Sequence, residues 1–323
     1  MLQELITLVI FIFILSKAAS AVVENASKLA RFFGISQLAI GFLLIAVATS
    51  LPELSVSVAS SVAGEGAIAA GNVFGSNIAN VLLILGIGAF LYGFKVGKEN
   101  LEGIALVLVL TTIISVYILF HSQITGNALG LYEGILLLLI AGWYAFRILG
   151  SKRKVSEERG NGKVTMREGL RAFLFFAAGM VLVMVSSSLV VDSAVKLANV
   201  LGLAESFIGA TLIAIGTSLP ELSIDLQALR KKQYGLALGD AIGSNMANIT
   251  LVLGVAAAIN PISVQLSVFS AALLFAVVAN VVFLYIAAVK KQFDRRDGTM
   301  MVALYALYLI VIFFLQFGEK VQI

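Results

Sequence analysis

The stretch ATSLPELSVSV at residues 48–58 returns as GTSLPELSIDL at residues 216–226. Each copy lies inside a long apolar segment, so Glu53 and Glu221 are ionisable side chains in surroundings of lipid and packed helix. A carboxyl group is expensive in such a place and is usually retained for function. Two of them, in matching positions of two half-chains, predict one site to which both halves contribute. That arrangement is typical of a transporter.

Composition places the chain in a membrane. The 323 residues are 60% hydrophobic and only 12% charged, whereas a soluble domain carries about 25% charged residues. Apolar runs of about 20 residues, the length that crosses a bilayer as a helix, recur along the chain. We therefore expect an all-α polytopic membrane protein, because the strands of a β-barrel would alternate in polarity instead.

Composition also excludes several kinds of site and partner. The chain has no cysteine, which rules out disulfides, thiolate metal sites and iron–sulfur clusters. The net charge of +4 does not indicate nucleic-acid binding, because the basic residues lie in loops between apolar segments. We expect no cofactor, no enzyme activity and no obligate protein partner; the expected partners are the lipid bilayer and transported ions.

Ten apolar segments indicate ten transmembrane helices. The N-terminal segment lacks a basic leader, so it is expected to be a first span rather than a cleaved signal peptide. One sizeable hydrophilic connection, at 149–168, separates a first five-helix repeat (1–148) from a second (169–323) and is expected to be a cytoplasmic linker loop. The ten predicted spans lie near 4–27, 37–62, 68–92, 101–120, 127–148, 169–195, 205–229, 236–259, 264–288 and 299–317.

Basic residues predict the orientation, because cytoplasmic loops carry an excess of Lys and Arg. The loops after spans 1, 3, 5, 7 and 9 hold nearly all of them, whereas the opposite side holds little beyond Lys196 and Lys320. Both termini are therefore expected outside the cell. The inner set includes Lys28, Arg31, Lys95, Lys98, Lys152, Arg153, Lys154, Arg230, Lys231, Lys232, Lys290, Lys291, Arg295 and Arg296.

The repeat extends well beyond the opening motif. With a constant offset of 168 and no gap, residues 26–86 align with 194–254, and 27 of the 61 positions are identical. Because each unit contains an odd number of spans, the second enters the membrane from the opposite side. The sequence therefore predicts two inverted-topology repeats with a site near the membrane midplane.

The first motif combines a proline with polar neighbours in mid-span. Pro52 cannot donate to the carbonyl of Ala48, and Pro220 leaves that of Gly216 without its usual partner. Such loosened carbonyls are tolerated where they face a polar cavity, and there they become ligands. Thr49 with Glu53, and Thr217 with Glu221, are four residues apart and share a helix face. The alternative is an ordinary proline kink.

The second motif is GNVFGSNIAN at 71–80, matched by GDAIGSNMAN at 239–248. Ser76 with Asn80, and Ser244 with Asn248, are four apart, so each span presents a stripe of polar side chains. We favour a lining role for them over interhelical hydrogen bonding. Gly71 with Gly75, and Gly239 with Gly243, are small-residue pairs that predict close helix approach.

These side chains and carbonyls form a ligand set of oxygens without thiol or imidazole. Six to eight oxygens of flexible geometry suit Ca²⁺ better than a softer metal. Two carboxylates neutralise one divalent cation. In its absence they need two monovalent ions or two protons, because two like charges close together in low dielectric cannot both stay ionised.

Duplicated TSLPEL followed by GSNxxN, in a five-plus-five arrangement, resembles the Ca²⁺/cation antiporter superfamily, particularly its prokaryotic cation/calcium exchangers of the H⁺/Ca²⁺ or Na⁺/Ca²⁺ type. The resemblance implies ten helices with an ion site between spans 2, 3, 7 and 8, across which spans 1 and 6 slide. It implies a Ca²⁺ site of Glu53, Glu221 and the carbonyls of Thr49 and Thr217. It also implies Na⁺ sites at Ser50, Ser76, Ser218 and Ser244, with the carbonyls of Ala46 and Ala214.

The chain departs from the best-described sodium/calcium exchangers at one position. Those proteins carry an aspartate where this chain has Asn248, so Asn80 and Asn248 are both neutral and the core keeps two carboxylates. We therefore expect export of Ca²⁺ in exchange for H⁺, with Glu53 and Glu221 also carrying the protons. The alternative is a Na⁺/Ca²⁺ exchanger of the same fold. Hydrogen/calcium exchangers of the superfamily differ in their first motif, which has GNxxE in place of SLPE.

The second repeat adds carboxylates that the first lacks, with Asp225 in place of Ser57 and Asp240 in place of Asn72. Together with Glu24 they predict an acidic cytoplasmic vestibule that concentrates Ca²⁺. The alternative is interfacial placement with Arg230, Lys231 and Lys232 as counter-ions.

Two other classes of protein agree less well with the sequence. A cation channel is a distant alternative, because a tight charged site slows release of the ion. An intramembrane aspartyl protease is disfavoured because none of the aspartates in or near the spans lies in a GxGD motif.

Overall fold

The computed structural model describes residues 2–125, 129–150, 164–200, 214–262 and 266–320. Over these ranges the chain is almost entirely helical. The long helices are α1 (Leu2–Phe33), α7 (Lys98–Thr125), α8 (Leu131–Gly150), α9 (Met166–Val200), α14 (Leu266–Val289) and α15 (Arg295–Lys320). Two short antiparallel strands, β1 (Phe94–Lys95) and β2 (Gln292–Phe293), pair Phe94 with Phe293.

The helices that carry the two motifs are interrupted. The first motif region comprises α2 (Gln37–Ile40), π1 (Gly41–Ile45), α3 (Ala46–Thr49) and α4 (Leu51–Val62). It continues with α5 (Gly66–Ile78), π2 (Ala79–Ile84) and α6 (Leu85–Tyr92). The second comprises α10 (Ala214–Thr217), α11 (Leu219–Arg230), α12 (Tyr234–Ala247), π3 (Asn248–Val252) and α13 (Leu253–Ile259).

Eight helices of the described ranges are long and apolar enough to cross a membrane. The bent pair Gln37–Thr49 and Leu51–Val62, with an angle of 44° between its halves, makes a ninth. The expectation of a polytopic helical membrane protein is confirmed. The predicted span 205–229 lies partly outside the described residues, as do most of the linker 149–168 and the basic residues Lys152, Arg153 and Lys154.

Several helices run further than their predicted apolar spans. Helix α1 continues from 27 to Phe33 because its last turns still bury Leu29 and Ala30. Helix α9 begins at Met166, where Thr165 and Glu168 form a capping box: the Thr165 amide donates to the Glu168 carboxylate, and the Glu168 amide donates to the Thr165 hydroxyl. The apolar pattern does not predict these extensions, because they depend on tertiary contacts and on helix caps.

The residues fall into two compact units, each built from both halves of the chain. Unit 1 comprises Met1–Thr49 and Leu149–Asp240, and unit 2 comprises Ser50–Ile148 and Ala241–Ile323. In unit 1, α1 packs along α9 and also contacts α11. In unit 2, α15 packs on α6, α14 packs on α7, and α4 packs on α5.

Polar contacts fix helix positions within unit 1. Gln227 on α11 donates to the Ser16 hydroxyl of α1 at 2.9 Å. One turn further, the Lys231 ammonium donates to the Ser20 carbonyl at 2.9 Å and to the Glu24 carboxylate at 2.6 Å. Gln37 and Gln233 are also hydrogen-bonded to each other. The start of α2 and the end of α11 are therefore both anchored within this unit.

In unit 2 an amide and an aromatic stack link the long helices. Asn280 of α14 donates to the hydroxyls of Thr111 and Thr112 on α7 at 3.1 and 3.0 Å. The rings of Phe94 and Phe293 stack with centroids 4.5 Å apart, and Phe283 continues the stack at 4.7 Å. The two short strands are thereby tied to α14.

The N-terminus of α15 is a capping box on the connection from β2. The Asp294 carboxylate accepts from the Arg296 and Asp297 amides, and the Asp297 carboxylate accepts from the Asp294 amide at 3.0 Å. The Asp297 amide, together with the Lys290 ammonium, holds the pKa of Asp294 below its ordinary value. These contacts give α15 a defined start outside its apolar span.

Gly239 of the second motif lies against a neighbouring backbone. A Cβ on Gly239 would lie 2.5 Å from the Leu38 carbonyl oxygen and 2.9 Å from the Gly41 Cα. The predicted close approach is therefore confirmed at Gly239. For Gly71, the matching position of the first repeat, the segment that corresponds to 38–41 is 206–209, which lies outside the described residues, so close approach there stays a prediction.

This contact gives a stability prediction with a control glycine. We expect Gly239→Ala to lower the free energy of unfolding in detergent by about 1–3 kcal/mol, the usual cost of overpacking, because the backbone of 38–41 has to move. Gly142→Ala, at an exposed position of α8 where a Cβ meets no described atom within 4 Å, should be neutral or stabilising, since alanine is the better helix former by about 1 kcal/mol. Thermal unfolding of the two variants checks this; equal melting temperatures would contradict the packing role of Gly239.

Candidate functional site

Both copies of the TSLPE motif contain a helix break. Helix α3 ends at Thr49 and α4 begins at Leu51; α10 ends at Thr217 and α11 begins at Leu219. The serine between each pair has a bridge-region backbone, with φ −77° and ψ 3° at Ser50 and φ −89° and ψ 10° at Ser218. The proline in the first turn explains the break, because it lacks the amide that would continue the preceding helix. The predicted interruption is therefore confirmed in both copies.

Glu53 is fully buried in the first turn of α4 and is held by residues of α5. The Ser76 hydroxyl donates to Glu53 Oε1 at 3.3 Å, and Asn72 Nδ2 donates to the Glu53 backbone carbonyl at 3.0 Å. Glu53 and Ser76, two of the predicted ligands, are thus brought together within unit 2. The Ser76 hydroxyl therefore supports the Glu53 carboxylate.

Thr49 and Ser50 are also buried, although only Thr49 has a described side-chain partner outside its own helix. The Thr49 hydroxyl donates to Asp240 Oδ1 at 3.0 Å and lies 3.3 Å from the Ala46 carbonyl. Thr49, Ala46 and Asp240 belong to unit 1.

Asparagines of the two GSNxxN motifs form a reciprocal hydrogen-bonded cluster in unit 2. Asn77 Nδ2 donates to the Asn245 carbonyl at 3.1 Å, and Asn245 Nδ2 donates to the Asn77 carbonyl at 3.2 Å. Asn80 Nδ2 donates to Asn245 Oδ1, and Asn248 Nδ2 donates to Asn77 Oδ1, both at 3.1 Å. Each bond of the first repeat has its equivalent in the second at the offset of 168.

These bonds fix which way each amide faces. Asn77 and Asn245 donate to backbone carbonyls, so their nitrogens are identified and their oxygens accept from Asn248 and Asn80. The nitrogens of Asn80 and Asn248 are consequently used inside the cluster. Asn80 Oδ1 and Asn248 Oδ1 are buried and receive no hydrogen bond within the described residues. A buried amide oxygen without a donor is costly, and it is a ligand for a hard cation.

The backbone around these two asparagines is locally widened. Asn80 lies in π2 and Asn248 opens π3, so the same departure from α-helix occurs in both repeats. Short π-helical segments occur frequently at functional sites. They shift the register of the helix after the motif and let the asparagine side chains meet.

The predicted ligands of the second half are buried as well. Glu221 is 1% exposed in the first turn of α11, and Ser218 is buried next to it in sequence. Ser244 on α12 is fully buried, whereas Thr217 is half-buried. Glu221, Thr217 and Ser218 belong to unit 1, and Ser244 belongs to unit 2. Of the predicted carbonyl ligands, Ala46 and Ala214 lie in α3 and α10 respectively.

The three residues of the predicted vestibule differ in their surroundings. Glu24 is 60% exposed and forms an ion pair with Lys231. Asp225 and Asp240 are fully buried, and both belong to unit 1. The counter-ion role weighed for Lys231 is thus observed toward Glu24, and the vestibule itself stays a prediction.

Sequence analysis did not identify the partners within this region. Asn77 and Asn245 are the middle asparagines of the GSN motifs, and their identity at the offset of 168 was the available signal. The bond from Thr49 to Asp240 had no signal, because the two residues belong to different motifs. The repeat alignment shows which polar residues are identical in the two halves, but it does not show which groups they contact.

Together the described groups offer carboxylate, hydroxyl and amide oxygens on broken or widened helices. They carry no thiol or imidazole, so they favour a hard cation such as Ca²⁺ or Na⁺. Within the described residues, no three Asp, Glu or His side chains gather in a way that could hold a metal ion. The oxygen donors are therefore mainly neutral groups beside a small number of carboxylates.

Known relatives cover most of the chain. The "Inner membrane protein YrbG" of Escherichia coli is 35% identical over 270 residues, 81% of this chain and 81% of the relative. The "Sodium/calcium exchanger MaX1" of Methanosarcina acetivorans is 29% identical over 336 residues, 93% of this chain and 96% of the relative. These relatives are membrane and exchanger proteins, in keeping with the expectation of a transporter rather than an enzyme.

The fold is similar to that of a solved exchanger. A structure of the sodium-calcium exchanger NCX_Mj superposes with a TM-score of 0.79 at 27% sequence identity, covering 95% of this chain and 98% of that one. The likeness extends over the motif helices and the long helices alike. A multi-pass helical membrane fold of the exchanger type is therefore established for this chain.

The family model described as "Sodium/calcium exchanger protein" matches residues 4–150 and 171–314, which include both TSLPE and both GSNxxN motifs. This confirms the resemblance seen in the duplicated motifs. The chain belongs to the sodium/calcium exchanger family of membrane cation antiporters.

Proposed function

We propose that this protein exports Ca²⁺ from the cytoplasm in exchange for H⁺, by alternating access of an ion site to the two sides of the membrane. The proposed architecture is ten spans in two inverted five-helix repeats, 1–148 and 169–323, joined by a cytoplasmic linker at 149–168. Both termini lie outside a prokaryotic plasma membrane. The 168-residue offset and the distribution of basic residues support this arrangement.

The proposed ligands are the buried oxygens of the two motifs. Glu53 and Glu221 bind Ca²⁺ and carry the protons on the return. Thr49 and Thr217 contribute backbone carbonyls, with Ser50 and Ser218 beside them. Asn80, Asn248, Ser76 and Ser244 complete or orient the shell; the burial of Glu53 and Glu221 and the hydroxyl of Ser76 on Glu53 support these roles.

The main support for H⁺ rather than Na⁺ as the coupling ion is the neutral asparagine cluster. Asn80 and Asn248 are neutral, and their nitrogens donate inside the cluster, so they present oxygens without adding charge. The proposed site then has a charge of minus two from Glu53 and Glu221. One Ca²⁺ balances it, and so do two protons or two Na⁺ ions, so the neutral amides argue against coupling to three or more Na⁺ ions. A third carboxylate at position 248 would instead call for an additional cation.

Na⁺/Ca²⁺ exchange is the second candidate, and the relatives favour it. MaX1 and NCX_Mj are both named as sodium/calcium exchangers. The serine hydroxyls are suitable Na⁺ ligands, and Ser76 already lies against Glu53. The two functions share the Ca²⁺ site and differ in what occupies it on the return.

Coupling is tested in proteoliposomes containing the purified protein. We expect an outward H⁺ gradient in Na⁺-free buffer to drive ⁴⁵Ca²⁺ uptake several-fold above the rate without a gradient, because protons leaving the vesicle free the carboxylates for Ca²⁺. An outward Na⁺ gradient at equal pH should give no such increase. Uptake that follows only the Na⁺ gradient would replace H⁺ by Na⁺ as the coupling ion.

The carboxylate assignment predicts the effect of Glu53→Gln and Glu221→Gln. Each change keeps the shape of the side chain and removes one charge, leaving Ca²⁺ half-balanced in a buried site. Loss of one partner of a buried charge pair costs about 3–5 kcal/mol, so Ca²⁺ uptake should fall by about 100-fold or more. Initial uptake rates at saturating gradient measure this.

Glu65→Gln is the matched control for these variants. Glu65 lies between α4 and α5 and is exposed, so its loss should leave uptake unchanged. Wild-type uptake by both Glu53→Gln and Glu221→Gln would remove these residues from the ion site.

A further inference from the structure

We propose that Asp225 and Asp240 form a second cation-binding site, for a hard divalent cation such as Ca²⁺, in addition to Glu53 and Glu221. Asp225 lies on α11 and Asp240 on α12, and both belong to unit 1. The inference concerns binding and does not depend on the proposed transport function.

The two carboxyl groups are buried against each other. Both residues have 0% exposure, and their side chains lie within hydrogen-bonding range of one another. The Thr49 hydroxyl donates to Asp240 Oδ1 at 3.0 Å. Asp240 is therefore next to both a second buried carboxyl group and a hydroxyl oxygen.

Asp225 lacks the hydrogen bonds that a buried carboxylate needs. No described amide, hydroxyl or ammonium group donates to Asp225 Oδ1 or Oδ2. Lys231, six residues after Asp225, does not donate a hydrogen bond to it. The Lys231 ammonium makes three bonds, to the Ser20 carbonyl, the Ser20 hydroxyl and the Glu24 carboxylate. An ammonium has three donors, so all are used.

At the matching positions, the first repeat has two neutral side chains that hydrogen-bond to each other. There, the equivalents of Asp225 and Asp240 are Ser57 and Asn72, and Asn72 Nδ2 donates to the Ser57 hydroxyl at 3.0 Å. The second repeat replaces this donor–acceptor pair with two groups that, when ionised, only accept. When both carboxyls are ionised, the replacement removes the hydrogen bond and adds two negative charges, and a divalent cation would compensate both.

The chemistry of the groups selects the class of cation. Two carboxylates neutralise one divalent ion, and carboxylates bind Ca²⁺ in either mono- or bidentate fashion together with hydroxyl or water oxygens. The absence of nitrogen or sulfur donors among Thr49, Asp225 and Asp240 disfavours the transition metals. Charge balance and ligand type therefore agree.

The repeat itself supplies the variant that tests this site. Asp225→Ser combined with Asp240→Asn recreates the Ser57–Asn72 hydrogen bond and should fold. We expect equilibrium ⁴⁵Ca²⁺ binding to the detergent-purified full chain, in Na⁺-free buffer, to give two ions per wild-type chain and one per double-variant chain. The single Asp225→Asn protein should also lose one ion, which keeps the test available if the double variant misfolds.

The Glu53→Gln, Glu221→Gln double variant separates this inference from the proposed function. It should lose the other ion and keep the one at Asp225 and Asp240. If it keeps both ions while the aspartate variant loses one, the glutamate site fails and the second site stands. If wild type and both aspartate variants bind the same number of Ca²⁺ ions per chain, the proposal is overturned. That result is expected if Asp225 and Asp240 share a proton and bind no cation.

Discussion

The four hydrogen bonds among Asn77, Asn80, Asn245 and Asn248 are the interaction on which the proposed ion site depends. Buried amides have to be satisfied, and here the two GSNxxN segments satisfy each other through backbone carbonyls and side-chain oxygens. The bonds are reciprocal, so neither segment can shift without losing bonds in both. They also leave the side-chain oxygens of Asn80 and Asn248 buried and without a donor among the described residues. Because both side chains are amides, neither position adds a charge. The same residue types in the same spacing thus determine both packing and electrostatics.

Outside the asparagine cluster the two repeats differ in the charge of matching residues. At positions 57 and 72 the first repeat has a neutral hydrogen-bonded pair, whereas the second has two buried carboxyls at 225 and 240. A duplicated segment can keep the identical TSLPE and GSN residues and still specialise through the residues one turn away.

Much of the fold follows from the sequence because it rests on local constraints. Apolar length predicts the membrane helices, and Pro52 and Pro220 predict the two breaks by removing a backbone donor. What the sequence does not contain is the identity of partners: Thr49 with Asp240, or Asn80 with Asn245, is decided by tertiary packing. The close approach at Gly239 likewise depends on the backbone of 38–41, which the motif itself does not identify. The burial of Asp225 and Asp240 runs against their polarity and had no signal beyond their substitution for Ser57 and Asn72.

The charge count of the proposed site leads to one direct test. One Ca²⁺ exchanged for two protons moves no net charge, and a cation held at Asp225 and Asp240 does not alter that count. The measurement is the initial rate of Ca²⁺ uptake in proteoliposomes at a fixed pH gradient, with the membrane potential clamped at two values by K⁺ and valinomycin. The account predicts equal rates at both potentials. A rate that changes several-fold, as expected when a net charge worth about 2.3 kcal/mol per 100 mV crosses the membrane, would contradict it.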